Sequence, residues 1–128
     1  MKRAVVYVAG PISKGDLAGN VLKAHEAGMA LLKAGLSPIV PHGNCFWGNK
    51  VGFVGREACF APEVLPAGTV IEDWYLADLP IVRRCDAVLR LPGESTGADL
   101  EVAEAVAAGI PVFGTVAQVA AWAAEEGP

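Results

Sequence analysis

Two acidic residues stand in surroundings that solvation alone does not explain. Glu101 falls in the second turn of a helix-like stretch, residues 97–108, and shares a face with Ala98, Ala105 and Ala108, a surface of small residues. Asp78 lies deep in the apolar segment Trp74-Tyr75-Leu76-Ala77-Asp78-Leu79-Pro80. Acids early in a helix interact favourably with its macrodipole and need no further purpose. The same partial charges would keep Glu101 ionised at neutral pH. An ionised, held carboxylate can act as a nucleophile or stabilise a sugar cation.

Two glycine-containing turns could present these acids to a small ligand. The first is Gly10-Pro11-Ile12-Ser13, after an apolar run; the second is Pro92-Gly93-Glu94-Ser95-Thr96-Gly97, after another. Neither is a P-loop and no G-x-G-x-x-G occurs, so ATP and dinucleotide cofactors lose their usual support and no cofactor is expected. Ser95 or Thr96 either caps the following helix or, with the first-turn N–H groups near Gly97, holds an anion or sugar oxygen. His42, directly after Pro41 at a strand end, is a further candidate for ligand contact; His25 reads as a surface residue. Asp86 reads as a turn or cap residue. Cys45, Cys59 and Cys85 are odd in number and lack CxxC spacing, so no disulfide framework and no metal site is expected.

The elements that must position these groups alternate. Arg3 to Ala9 is a continuous apolar run ended by Gly-Pro, as in a parallel strand covered on both faces. Helical spacing follows from about Asn20 to Ala34, then a short strand over Ser37 to Val40. His42 to Thr69 is irregular, rich in glycine and carries Phe46, Trp47, Phe53 and Phe60, which reads as a lid or partner-contacting insertion. Val70 to Arg84 is helical, with Pro80 expected to kink it or start a second, shorter helix. Asp86 to Leu91, residues 97–108, Pro111 to Phe113 and Val116 to Glu125 complete a strand, helix, strand, helix series. This order predicts a single α/β domain: a doubly wound, flavodoxin-like or Rossmann-like parallel sheet of about four to five strands with helices on both faces. The first and third strands should be neighbours, so the two glycine-containing turns should face each other across one cleft.

Composition narrows the partners. The chain has 128 residues, 53% hydrophobic, and a net charge of −4 with no Lys/Arg cluster, which argues against a nucleic-acid polymer as ligand. No apolar run approaches the ~20 residues of a membrane span. Met1-Lys2-Arg3 followed by an apolar run has the outline of a signal peptide, but Gly10-Pro11 breaks it early, and a buried first strand in a cytoplasmic protein is the reading adopted. The high apolar fraction and the aromatics of the insertion point to a homodimer or larger homo-oligomer.

Taken in order, Tyr7-Val8-Ala9-Gly10-Pro11-Ile12, Tyr75-Leu76-Ala77-Asp78-Leu79, Cys85-Asp86-Ala87-Val88-Leu89, Ser95-Thr96-Gly97-Ala98-Asp99-Leu100-Glu101 and Gly109-Ile110-Pro111-Val112 resemble the nucleoside 2-deoxyribosyltransferase superfamily. The resemblance is closest to its small branch of (deoxy)nucleoside 5′-monophosphate N-glycosidase-like proteins and covers most of the chain outside the insertion. It implies cleavage of the bond between a base and a sugar C1′, with Glu101 attacking C1′ and Asp78 assisting departure of the base. It also implies that Tyr7, Gly10, Pro11, Ile12, Ser13, His42, Tyr75, Ser95, Thr96 and Gly97 line the substrate. Base-exchanging members tend to carry an aspartate where this chain has Ser95, and the serine favours a monophosphate substrate. Pro11 and Ser13 depart from the serine and arginine that the nucleotide hydrolases set against the phosphate, which leaves Lys14, Arg56 or a neighbouring subunit to supply positive charge. Base exchange and non-catalytic nucleotide sensing are the alternative readings.

Overall fold

The computed structural model describes residues 3–12, 14–43 and 71–127; Ser13 and residues 44–70, which hold most of the insertion expected over 42–69, lie outside the described residues. Strand β1 (Val5–Ala9) leads to helix α1 (Leu17–Lys33), strand β2 (Ser37–Ile39) and a single 3-10 turn (Pro41–Gly43). Helix α2 (Ile71–Arg83), strand β3 (Ala87–Arg90), helix α3 (Thr96–Ala107), strand β4 (Val112–Phe113) and helix α4 (Val116–Glu125) follow. The strands form one sheet in the order β2-β1-β3-β4, and every pairing is parallel. The doubly wound α/β expectation therefore holds, with four strands among the described residues.

Strand β1 is central because its residues are apolar on both faces. Val6 and Val8 pack with Leu31, Leu36, Leu89 and Val119 on the side covered by α1 and α4. Tyr7 and Ala9 point the other way, toward Val82, Val88, Ala98 and Ala105 under α2 and α3. This split follows from the two-residue period of a strand. The short strand β2 tolerates Pro38 because it lies at the sheet edge, where one side of its backbone has no ladder to complete.

Local signals set the helix ends. Asp16, Ser95 and Thr115 are the N-caps of α1, α3 and α4, accepting from the N–H groups of Gly19, Ala98 and Gln118. Helices α1 and α3 end in paired turns in which Leu36 N–H reaches Leu31 O and Ile110 N–H reaches Ala105 O, with Gly35 and Gly109 at the reversal. Pro80 neither divides α2 nor starts a second helix: one assigned helix runs from Ile71 to Arg83. Pro80 and Leu76 are both exposed, so the Leu76 carbonyl that loses its helical partner is on the side open to water.

Candidate functional site

The order of the strands creates the site. The chain leaves β1 for one face of the sheet and leaves β3 for the other, so the turns after these adjacent strands lie at the sheet's topological switch point, the place where open α/β sheets bind ligands. The two turns touch each other there. A Cβ at Gly10 would stand 3.0 Å from Leu91 Cβ, and one at Gly93 only 2.8 Å from Pro11 Cγ. Lys14 and Glu94 form an ion pair at 3.0 Å between the same two turns, in water. The facing arrangement expected from the sequence is thus present.

Behind these turns, on the α2/α3 face, three groups converge. Tyr7 sits two residues before the end of β1, opposite Val88 in the register, and its side chain is fully buried. Its hydroxyl donates a hydrogen bond to Glu101 Oε2 of α3. Ala98, Glu101 and Ala105 form the buried stripe of α3, with Glu101 only 8% exposed; Ala108 ends the helix and is exposed. Asp78 of α2 is half-buried and lies close enough to Tyr7 for the two groups to shift each other's proton affinity. Two acids on different helices, one of them 94 positions away in sequence, thus converge on one phenol.

Burial dominates the electrostatics of this group. Desolvation pushes Glu101 up to about 7 and the Asp78 charge adds to the rise, while the Tyr7 hydrogen bond and the Arg90 guanidinium oppose it. Desolvation likewise pushes Asp78 up to about 6, again opposed by hydrogen bonding to Tyr7. Tyr7 itself is raised far above the ordinary phenol range by burial and by the two carboxylates, so it remains a donor. Glu101 is therefore about half protonated at neutral pH, not fully ionised as expected: the helix dipole acts mainly on the first turn, and this second-turn side chain loses its water. The two carboxyls titrate as a pair and hold about one proton between pH ~6 and ~7.

The remaining candidates surround this core in different ways. Ser95 caps α3, its Oγ accepting from Ala98 N–H at 3.1 Å. Its hydroxyl proton is left for another acceptor, because an N-cap uses only the oxygen lone pairs. Thr96 is exposed in the first turn, and Gly97 underlies the Tyr75 ring, where a Cβ would stand 2.7 Å from Tyr75 Cε1. Ile12 is half-buried, and its carbonyl accepts from Asn20 Nδ2 at 3.1 Å; the same amide donates to Lys14 O at 2.7 Å. His42 is 1% exposed and its Nε2–H donates to Pro11 O at 3.1 Å. It holds the first turn from beneath, and burial pushes it down to about 4, so it is neutral. Asp86 accepts from Val5 N–H at 2.8 Å and ties the start of β1 to β3, a structural duty as expected.

Sequence reasoning missed two residues. Asn20 holds the first turn through the two carbonyls named above. Arg90 ends β3 opposite Ala9, bonding the Leu91 and Gly93 carbonyls and Asp99. Its signal was a lone cation in the otherwise apolar run Ala87-Val88-Leu89-Arg90-Leu91, at the carboxyl end of a central strand. Among the described residues, no group of His, Cys, Asp and Glu side chains is placed to hold a metal ion, and no helix is long and apolar enough to cross a membrane. No protein-family model matches the chain, and no curated protein matches it.

Proposed function

We propose that the protein is an N-glycosidase that cleaves the base–sugar bond of a (deoxy)nucleoside 5′-monophosphate. The observation that carries this reading is the convergence of two carboxyls from separate helices on the buried Tyr7, Glu101 bonded to its hydroxyl and Asp78 close enough to shift both, behind the turns that end β1 and β3. Paired carboxyls of which one is charged and one protonated suit a reaction passing through an oxocarbenium-like sugar. The resemblance of the surrounding motifs to the nucleoside 2-deoxyribosyltransferase superfamily supports the same assignment.

In the proposed reaction the Glu101 carboxylate attacks C1′ as the C1′–N bond breaks, and the departing base takes the Asp78 proton. Water then attacks C1′, gives a proton to Asp78 and releases the sugar from Glu101, which restores both groups. Burial raises Glu101 to about 7 and Asp78 to about 6, so the working form, Glu101 charged and Asp78 protonated, is the less populated form of the singly protonated pair, and the Tyr7 hydrogen bond to Glu101 lowers its cost. A monophosphate is favoured by the Ser95 hydroxyl proton and by the N–H groups of Thr96 and Gly97 at the start of α3, with Lys14, ion-paired to Glu94, on the facing turn. The reading includes a homo-oligomer, for which the exposed Leu76, Ile81, Leu100 and Val106 of α2 and α3 are the apolar surface.

The test is incubation with a panel of nucleosides and their 5′-monophosphates, with free base measured by chromatography. Base release from a monophosphate, faster than from its nucleoside, is expected. Adding a second base distinguishes hydrolysis from exchange by whether a new nucleotide forms. Saturable binding with no turnover of any panel member would replace the enzymatic reading with nucleotide sensing.

A further inference from the structure

The pleat of β3 turns Arg90 toward the α2/α3 face, the face that also holds Tyr7, Asp78 and Glu101. Its guanidinium donates to Leu91 O, to Gly93 O at 2.9 Å and to Asp99 Oδ1 at 3.1 Å. Two of these acceptors belong to the turn that precedes Ser95, and the third to the first turn of α3. One planar group therefore ties the end of the sheet, the turn and the helix start together, a geometry that lysine's single ammonium does not reproduce. The Arg90 side chain is largely shielded from water and its bond to Leu91 O is partly buried, while the bonds to Gly93 O and Asp99 reach the surface, so the hold comes from three bonds acting together.

We propose that Arg90 is a positioning residue of the site: by fixing the β3–α3 turn and the first turn of α3 to the sheet, it sets where Ser95 and Glu101 stand relative to Tyr7. The inference rests on the glycosidase reading only for its effect on turnover; the structural and titration readouts below stand without it. Charged and titratable groups face Glu101 from each packed element: Tyr7 from β1, Asp78 from α2 and Arg90 from β3. Of these Arg90 alone is a cation, so its removal has a defined direction: Glu101 protonates more readily.

The experiment compares the full-length parent with Arg90→Lys, Arg90→Gln, Asp99→Asn and, as a surface-charge control, Arg84→Gln. Backbone amide shifts of residues 93–101 and the titration of the Glu101 carboxyl are followed by NMR, and turnover by base release. Arg90→Gln should move the amide shifts and raise the Glu101 midpoint by about half a pH unit. It should also lower kcat by roughly ten- to a hundredfold, since small misplacements of reacting groups are costly. Arg90→Lys should move the same amides and lower kcat while leaving the Glu101 midpoint near the parent's, because the charge remains. Asp99→Asn, at an exposed position, should move amides 95–101 by less, and Arg84→Gln none of them.

Amide shifts and a Glu101 midpoint unchanged in Arg90→Gln would overturn the proposal. Should Arg90→Gln fail to fold, Asp99→Asn decides in its place: no change across residues 95–101 overturns the assignment. Absence of base release by the parent, with these NMR changes present, would remove the glycosidase reading and leave the positioning role standing.

Discussion

The two faces of the sheet share their strands and differ in nearly everything else. On the α1/α4 side, Ala4, Val6, Val8, Leu31, Leu36, Leu89 and Val119 form an apolar core, and His42, in the turn that packs against α1, is buried in its neutral form. On the α2/α3 side, alternate residues of the same strands meet Tyr7, Asp78, Glu101 and Arg90, and both carboxyls lose water that their charged forms need. The first face gives folding energy through apolar burial. The second sacrifices some of that energy to hold groups whose proton affinity lies near neutrality, the range in which acid–base work is done. One strand period suffices to keep the two duties apart.

The largest stability effect is expected on the apolar face. Leu31 is fully buried there, and Leu31→Ala should lower unfolding free energy by about 2–5 kcal/mol in chemical denaturation. The pH dependence of base release should be unchanged. A shift of that profile would show that the two faces are coupled.

A smaller effect of opposite sign is expected across the sheet. The folded-state value of Glu101 is raised above its ordinary value of 4.5 to about 7, so the folded protein binds this proton more tightly than the unfolded chain. Its contribution is fully present below pH ~4.5 and lost as pH rises through ~7. Glu101→Gln cannot ionise, and its amide oxygen can still accept from Tyr7. It should therefore be more stable than the parent at pH 8 by on the order of 2–3 kcal/mol, an advantage that disappears toward pH 4. Thermal unfolding at the two pH values checks this; a variant equally destabilised at both would mean that Glu101 is not held charged at a cost.

Smallest of all should be Gly97→Ala, because the methyl would press on the edge of the Tyr75 ring. The ring is half-buried and can yield. A severalfold change in KM with kcat and stability nearly constant would place Tyr75 against the substrate.

Much of this arrangement was legible in the residues. The apolar runs around Val6 and Val88, each ended by glycine or proline, and the helical spacings between them, gave the alternation and hence the parallel sheet. Asp78 and Glu101 stood out as acids among apolar or small neighbours. What the chain order hid was long-range. The bond from Tyr7 to Glu101 depends on the pleat that turns Tyr7 toward the α2/α3 face and on α3 packing its buried stripe against that face. The grip of His42 on Pro11 crosses from the end of β2 to the end of β1. Arg90 looked like one more residue of β3 because its three acceptors, two of them carbonyls, are defined only once the turn is folded. The raised protonation of Glu101 required knowing how little water reaches it. Ser13 and most of the aromatic insertion, with its expected lid or partner role, lie outside the described residues.

The central claim is most directly tested by the rate of base release against pH for the parent and for Glu101→Gln. With one carboxyl charged and the other protonated as the working state, the parent should peak near pH 6.5. It should fall below about pH 6, where both are protonated, and above about pH 7, where neither is. Glu101→Gln should lose about a thousandfold or more at the peak. Undiminished release by Glu101→Gln, with the parent's profile, would contradict the account.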